Sequence, residues 1–120
     1  MKEGNIIQEK SYKFSLRVIG LYNYLVREKR EYVMSKQTLR CGTSIGANVE
    51  EAIGGHSRAD FSAKITIAYK EARETLYWLK LLRDSGTVEK VFINSLIIDC
   101  EEICKIVGKI QYTCNLKNNL

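Results

Sequence analysis

Proline is missing from this 120-residue chain. No position is therefore barred from a helix interior by a lost N–H and a ring clash, which favours long unbroken helices. Histidine occurs once, at His56, and no CxxC pair exists, so the usual donor sets for a zinc site are missing. No apolar run approaches the roughly 20 residues of a membrane-spanning helix. The opening MKEGNIIQEK is too charged for a secretory signal. These absences lead to the expectation of a cytosolic protein with no membrane contact, no cofactor and no metal. Disulfides are not expected in a reducing cytosol, so Cys41, Cys100, Cys104 and Cys114 read as small buried hydrophobes. Cys100 and Cys104, four apart, would share one helix face.

What is present is an ordinary globular balance, 45% hydrophobic and 28% charged, which argues for one folded domain over residues 1–120. Apolar and small residues recur at spacings of three and four. The first stripe is Ile7, Ser11, Phe14, Val18, Leu21 and Leu25, with Ile19, Tyr22 and Val26 beside it. Thr38, Gly42, Ile45, Val49 and Ala52 form the second. The third runs from Phe61 through Ile65, Ala68, Ala72, Thr75 and Leu79 to Leu82, and the fourth from Ile93 to Cys114. Ser35 is read as the N-cap of the second helix and Ser57, with Asp60 three residues on, as a capping box for the third. Gly54-Gly55 would end the second helix in a left-handed turn, Gly86 would close the third, and Thr87 would cap the fourth. Helices over roughly 6–27, 36–53, 58–84 and 88–113, joined by short loops, predict an all-α, antiparallel up-down-up-down four-helix bundle.

The stretch RCGTSIGANVEEAIGG, residues 40–55, tests for enzyme chemistry. It has neither GxGxxG nor GxxxxGK[ST] spacing and no preceding strand, so it is not a phosphate loop. Gly42 and Gly46 lie one turn apart, with Ser44 and Ala47 nearby, on a small-residue surface. Each glycine costs a helix about 1 kcal/mol relative to alanine, and close approach of another helix would offset it. Trp78, or a tyrosine of the third helix, is the expected neighbour. Glu50 and Glu51 point about 100° apart on a helix and cannot act as a dyad. Asn48, Glu51, His56, Arg58 and Asp60 are read as a polar cluster ordering the turn between helices two and three, and no catalytic residue is assigned. Glu71 and Glu74, flanked by Ile67 and Trp78, suit a subunit interface as well as a solvated face.

The net charge is +5, and it resides in the first third: residues 1–40 hold nine Lys/Arg and four Asp/Glu, whereas each later third is balanced. Lys10, Lys13 and Arg17 share a helix face, and Arg27, Lys29 and Arg30 cluster at its end, with Tyr12, Tyr24 and Tyr32 close by. Cations beside aromatics point to RNA or DNA as a partner. The alternative is a protein-interaction or structural ring with no nucleic-acid role, the basic face being only solvated. Apolar residues on two flanks of helix one favour self-association.

LRCGTSIGANVEEA, SRADFSAKITIA and KEARETLYWLKLL make the chain similar to the four-helix bundle proteins encoded by intervening sequences of bacterial 23S rRNA genes, a family that includes accessory proteins of diversity-generating retroelements. The resemblance spans roughly residues 7–112, its more specific motifs being SIGAN at 44–48 and RADF at 58–61. It implies an antiparallel bundle, a homopentameric ring and no known catalytic activity. For the retroelement branch it implies nucleic acid and a reverse transcriptase as partners. By position, Asn48, Glu51, Arg58 and Asp60 match the motif's polar residues, and Gly42, Ser44 and Gly46 its small ones. Many members read asparagine, apolar, alanine, glutamate, glycine here, whereas this chain has Asn48-Val49-Glu50-Glu51-Ala52, with its glycines delayed to 54 and 55.

Overall fold

Ile7, Ser11, Phe14, Val18, Leu21 and Leu25 all enter one core, none more than 2% exposed. Their alternating spacings of four and three return to a single helix face. The same rule along the rest of the chain gives α1 (Lys2–Arg27), α2 (Met34–Ile53), α3 (Arg58–Asp84) and α4 (Lys90–Asn118). The computed structural model describes the backbone of residues 2–118 and the side chains of residues 6–117; among these there is no strand. Each helix packs on its neighbours in sequence, and α4 returns to close against α1. That last seam is the loosest of the four, and the diagonal pairs α1/α3 and α2/α4 do not meet at backbone distance. The result is the all-α antiparallel bundle that the periodicity predicts, 49 × 22 × 21 Å.

Three helix starts differ from the sequence expectation: α1 begins at Lys2 rather than near 6, and the starts of α2 and α4 move for physical reasons. α2 begins at Met34, and Ser35 is no cap: it is fully buried within the first turn. Glu31 does the capping. Its carboxylate accepts from the N–H groups of Val33 (3.1 Å), Met34 (3.0 Å) and Ser35 (2.7 Å), and Ser35 Oγ donates back to the Glu31 carbonyl at 2.7 Å. Capping rules look for a short side chain at the boundary, whereas here a longer one reaches forward over the free N–H groups. Arg30, at φ 52°, makes the sharp turn that precedes Glu31. α4 starts at Lys90 rather than near 88, because Val88, 3% exposed, first plugs the end of the core. Thr87 does not cap it; its hydroxyl bonds to that of Ser85 at 2.8 Å.

The helix ends divide the two glycine sites. Gly86, at φ 75°, takes the left-handed position after α3: its N–H reaches Arg83 O (3.1 Å) and that of Thr87 reaches Leu82 O (3.2 Å). That is a Schellman stop. Gly54 instead keeps a right-handed backbone at φ −81°, so α2 does not end through a left-handed glycine. Gly55 serves by its small size, since a Cβ there would lie 3.2 Å from the Asp60 Cβ. Ser57 does cap α3, its Oγ accepting from the Asp60 N–H at 3.0 Å.

Gly42 and Gly46 form a close seam, but with α1 and not with Trp78 or any other residue of α3. A Cβ on Gly42 would stand 2.8 and 2.9 Å from the Val18 methyls, and one on Gly46 would stand 3.3 Å from the Ser11 carbonyl oxygen. Trp78 stays on α3, donating from Nε1 to Glu74 at 3.0 Å and meeting Tyr77 edge to face. Ser44 bonds inside its own helix, to the Arg40 carbonyl at 2.7 Å.

Gly42→Ala is expected to lower stability by about 1–3 kcal/mol through overpacking against the β-branched, fully buried Val18, despite the gain in helix propensity. Gly46→Ala should be milder and Gly46→Leu severe; denaturant melts of the three rank the seam, and equal midpoints for parent and Gly42→Ala would refute it.

The second prediction concerns Glu31. Burial alone would raise its carboxyl, but the N–H groups of Met34, Ser35 and Val33 outweigh burial and hold it below the usual carboxylate value. A depressed folded-state value stabilises above the unfolded carboxylate range, and that stabilisation is lost as pH falls through it. Glu31→Gln should therefore cost about 1 kcal/mol at pH 7, in line with other caps, and progressively less as the pH falls below the carboxylate range, pH 3 included. Melts at both pH values measure the gap.

Candidate nucleic-acid interface

The three cations of the α1 stripe are held inside the bundle's own ion pairs. Lys10 pairs with Glu102 and Arg17 with Asp99, both across to α4, while Lys13 takes Glu9 one turn back at 2.7 Å. Arg17 also donates to Ser95 Oγ at 2.9 Å. Glu102 raises the Lys10 ammonium above its ordinary value, and Lys13 lowers the Glu9 carboxyl. Lys10 and Arg17 therefore close the loose α1–α4 seam, and the charge of all three is matched where it stands.

Arg27, Lys29 and Arg30 are different. They lie exposed at the end of α1 with no ion pair among the described residues. The Lys29 ammonium sits 5.9 Å from the centre of the Tyr24 ring, within cation–π range. Tyr24 in turn faces Phe92 of α4, and Tyr32 is exposed in the following loop.

A second set of unmatched cations lies on the outer α3–α4 face. Tyr69, Arg73, Lys105, Gly108, Gln111 and Tyr112 line a groove of about 430 Å³. Gly108 leaves room for the Tyr69 ring, whose Cε1 lies 3.0 Å from where a Cβ would be. The Cys104 thiol of this face is held below its ordinary value by Cys100 and, at longer range, by the charges of Arg73 and Lys80. None of Arg73, Lys80 and Lys105 has an ion-pair partner among the described residues. Glu101 is the acid nearby. The sequence holds the signal in the four- and seven-residue spacings of Tyr69, Arg73 and Lys80 and of Lys105 and Tyr112. Balanced charge in residues 41–120 conceals it, because the acids of that region turn to other seams. Glu71 and Glu74, for instance, both take Arg40 of α2.

The polar residues around the α2–α3 turn do not form one cluster. Glu51 pairs with Lys64 at 2.8 Å and lines one hollow with Asp60, Gly54 and Gly55. Its neighbour Glu50 accepts from Gln8 of α1 at 2.8 Å, so the adjacent glutamates serve different helices. Asn48 donates to the Ser44 carbonyl at 2.8 Å within α2. Arg58 turns away to the opposite side, beside Lys109 and Lys117 of α4, and His56 stays exposed.

The four cysteines are free thiols in the interior. Burial pushes Cys41 up to about 11. Cys100, whose thiol donates to the Ala72 carbonyl at 3.4 Å, is also raised, by the adjoining Cys104 and by burial. No group of three or more His, Cys, Asp or Glu among the described residues is placed to hold a metal ion. No helix among them is long and apolar enough to cross a membrane.

Comparison with known proteins agrees with this geometry. Among solved structures, a protein of unknown function from the S23 ribosomal protein family of Bacteroides thetaiotaomicron superposes with a TM-score of 0.88 at 46% identity, covering 92% of this chain and 98% of that one. No curated protein matches. The family model of the 23S rRNA-intervening sequence protein matches residues 3–109, nearly the whole bundle. The chain belongs to the 23S rRNA-intervening sequence protein family.

Proposed function

We propose that the protein is a non-catalytic, self-associating bundle that binds RNA and scaffolds a ribonucleoprotein. The observation that carries this reading is the interleaving of unmatched cations and tyrosines on the α3–α4 face, with Arg27, Lys29 and Arg30 as a second basic site at the end of α1. Cations tracking a phosphate backbone beside rings on which bases stack are the ingredients of single-strand binding. A non-catalytic role is supported by the engagement of Glu50 and Glu51 with separate helices and by the neutral, buried Cys41 thiol. Self-association is supported by the outward face of α1, where Tyr12, Leu16 and Ile19 are 65%, 54% and 42% exposed in one stripe. That same stripe favours a second reading, a protein-interaction ring with no nucleic-acid role.

Salt titration of single-stranded RNA binding separates the two. Replacing Arg73, Lys80 and Lys105 by glutamine should flatten the log–log salt slope by about 2 per engaged chain, at roughly 0.7 per phosphate contact. Replacing Lys10, Lys13 and Arg17 should leave it nearly unchanged, because those charges are already matched. Conversely, Asp99→Asn with Glu102→Gln frees Lys10 and Arg17 and should steepen the slope. Equal slopes for the parent and a folded Arg73/Lys80/Lys105 variant would sink the α3–α4 interface, and no RNA binding by the parent would favour the protein ring.

Light scattering coupled to size exclusion should give a mass that is a multiple of 13.8 kDa, the pentamer being the expected assembly. Leu16→Glu, on the outward stripe, should reduce it towards one chain without unfolding α1. A monomeric parent would remove the assembly from the proposal.

A further inference from the structure

Near the start of α1 and the end of α4, the described residues leave a groove between the helices. Beyond the Lys10–Glu102 pair, no described ion pair spans the α1–α4 seam towards this end. A groove of about 580 Å³ lies in the gap, and its lining is mostly apolar. Ile6, Phe61, Ile106, Ile110 and Cys114 make its floor and walls. Its polar edge consists of Arg58, Lys109 and Lys117, together with the Thr113 hydroxyl. Among the described residues no carboxylate lines it, and none of the three cations has an ion-pair partner.

This arrangement differs in kind from the other depressions. The α3–α4 groove is smaller, about 430 Å³, and the hollow beside Phe14 and Ile103 has Lys10 and Arg17 matched by Glu102 and Asp99. Here an apolar floor continuous with the core stands next to three cations of one sign. Its volume is in the range of small-molecule sites, about 300–1,000 Å³. Apolar surface calls for a hydrocarbon, and unmatched Arg and Lys at its edge call for one anionic group.

We propose that this groove binds an amphipathic carboxylate: an unbranched acyl chain lying over Phe61, Ile106 and Ile110, with its carboxylate met by Arg58, Lys109 and Lys117. The site is independent of the RNA-binding face, shares no residue with it, and gives Arg58 a ligand rather than a turn to order.

The test is calorimetric titration of the full chain with dodecanoate below its micellar concentration, and with dodecanol as the uncharged counterpart. Saturable binding of one dodecanoate per chain is expected, roughly tenfold or more tighter than dodecanol, the difference one charge-assisted hydrogen bond makes. The variant carrying Arg58→Gln, Lys109→Gln and Lys117→Gln should bring dodecanoate down to the level of dodecanol and leave dodecanol unchanged. Thr113→Trp, at an exposed position on the edge, should block both ligands in a protein with parental circular dichroism. Absence of saturable dodecanoate binding, equal affinity for the two ligands, or unchanged binding by folded Thr113→Trp would each overturn the site. Flotation with phosphatidylglycerol vesicles separates the two sources of acyl chains. Vesicle binding without binding of free dodecanoate would assign this end to a bilayer surface and overturn the groove as a ligand site.

Discussion

The contact of Val18 with Gly42 sets the geometry of the whole bundle. With no side chain at position 42, α1 lies tightly on α2, and the backbone carbonyl of Ser11 approaches Gly46 in the same way. The α1–α4 seam is wider, and long side chains bridge it: Lys10 to Glu102, Arg17 to Asp99, Tyr24 to Phe92. Where those bridges stop, the seam opens into the groove at the start of α1.

The same seam redistributes the charge. Counted along the chain, the basic excess belongs to residues 1–40. Counted in space, α1 and α2 give Lys10, Arg17 and Arg40 to acids of α3 and α4, and so leave Arg73, Lys80 and Lys105 without partners. The unmatched cations appear on helices whose own sequence is neutral. Exposed pairs of this kind add little stability, so their effect is on where the field points more than on how firmly the fold stands.

The fold is legible in the sequence because one period governs nearly every core position. Ile7 to Leu25, Thr38 to Ala52 and Ile65 to Leu82 are buried as their spacing requires. Boundaries are less legible. Glu31 caps from outside the usual position, and Val88 is pulled into the core before α4 can start. Periodicity says which face a glycine is on but not which neighbour lies there, so Gly42 could be read as a close contact while its partner Val18 could not. The candidate interface was the least legible of all. Asp99 and Arg17 are 82 residues apart, and nothing local to either shows that one neutralises the other. Nothing local shows, either, that Arg58 leaves the polar turn for the groove.

That long separation also bears on how the bundle assembles. Three of its four seams join helices adjacent in sequence, each closed by a turn of a few residues, so they form with little loop entropy. Only the α4–α1 seam must bring distant parts of the chain together, and it is the most sparsely packed. In kinetic terms the molecule is a row of hairpins with one late closure. The edge that closes last and holds fewest contacts is also the edge that opens first in the native state.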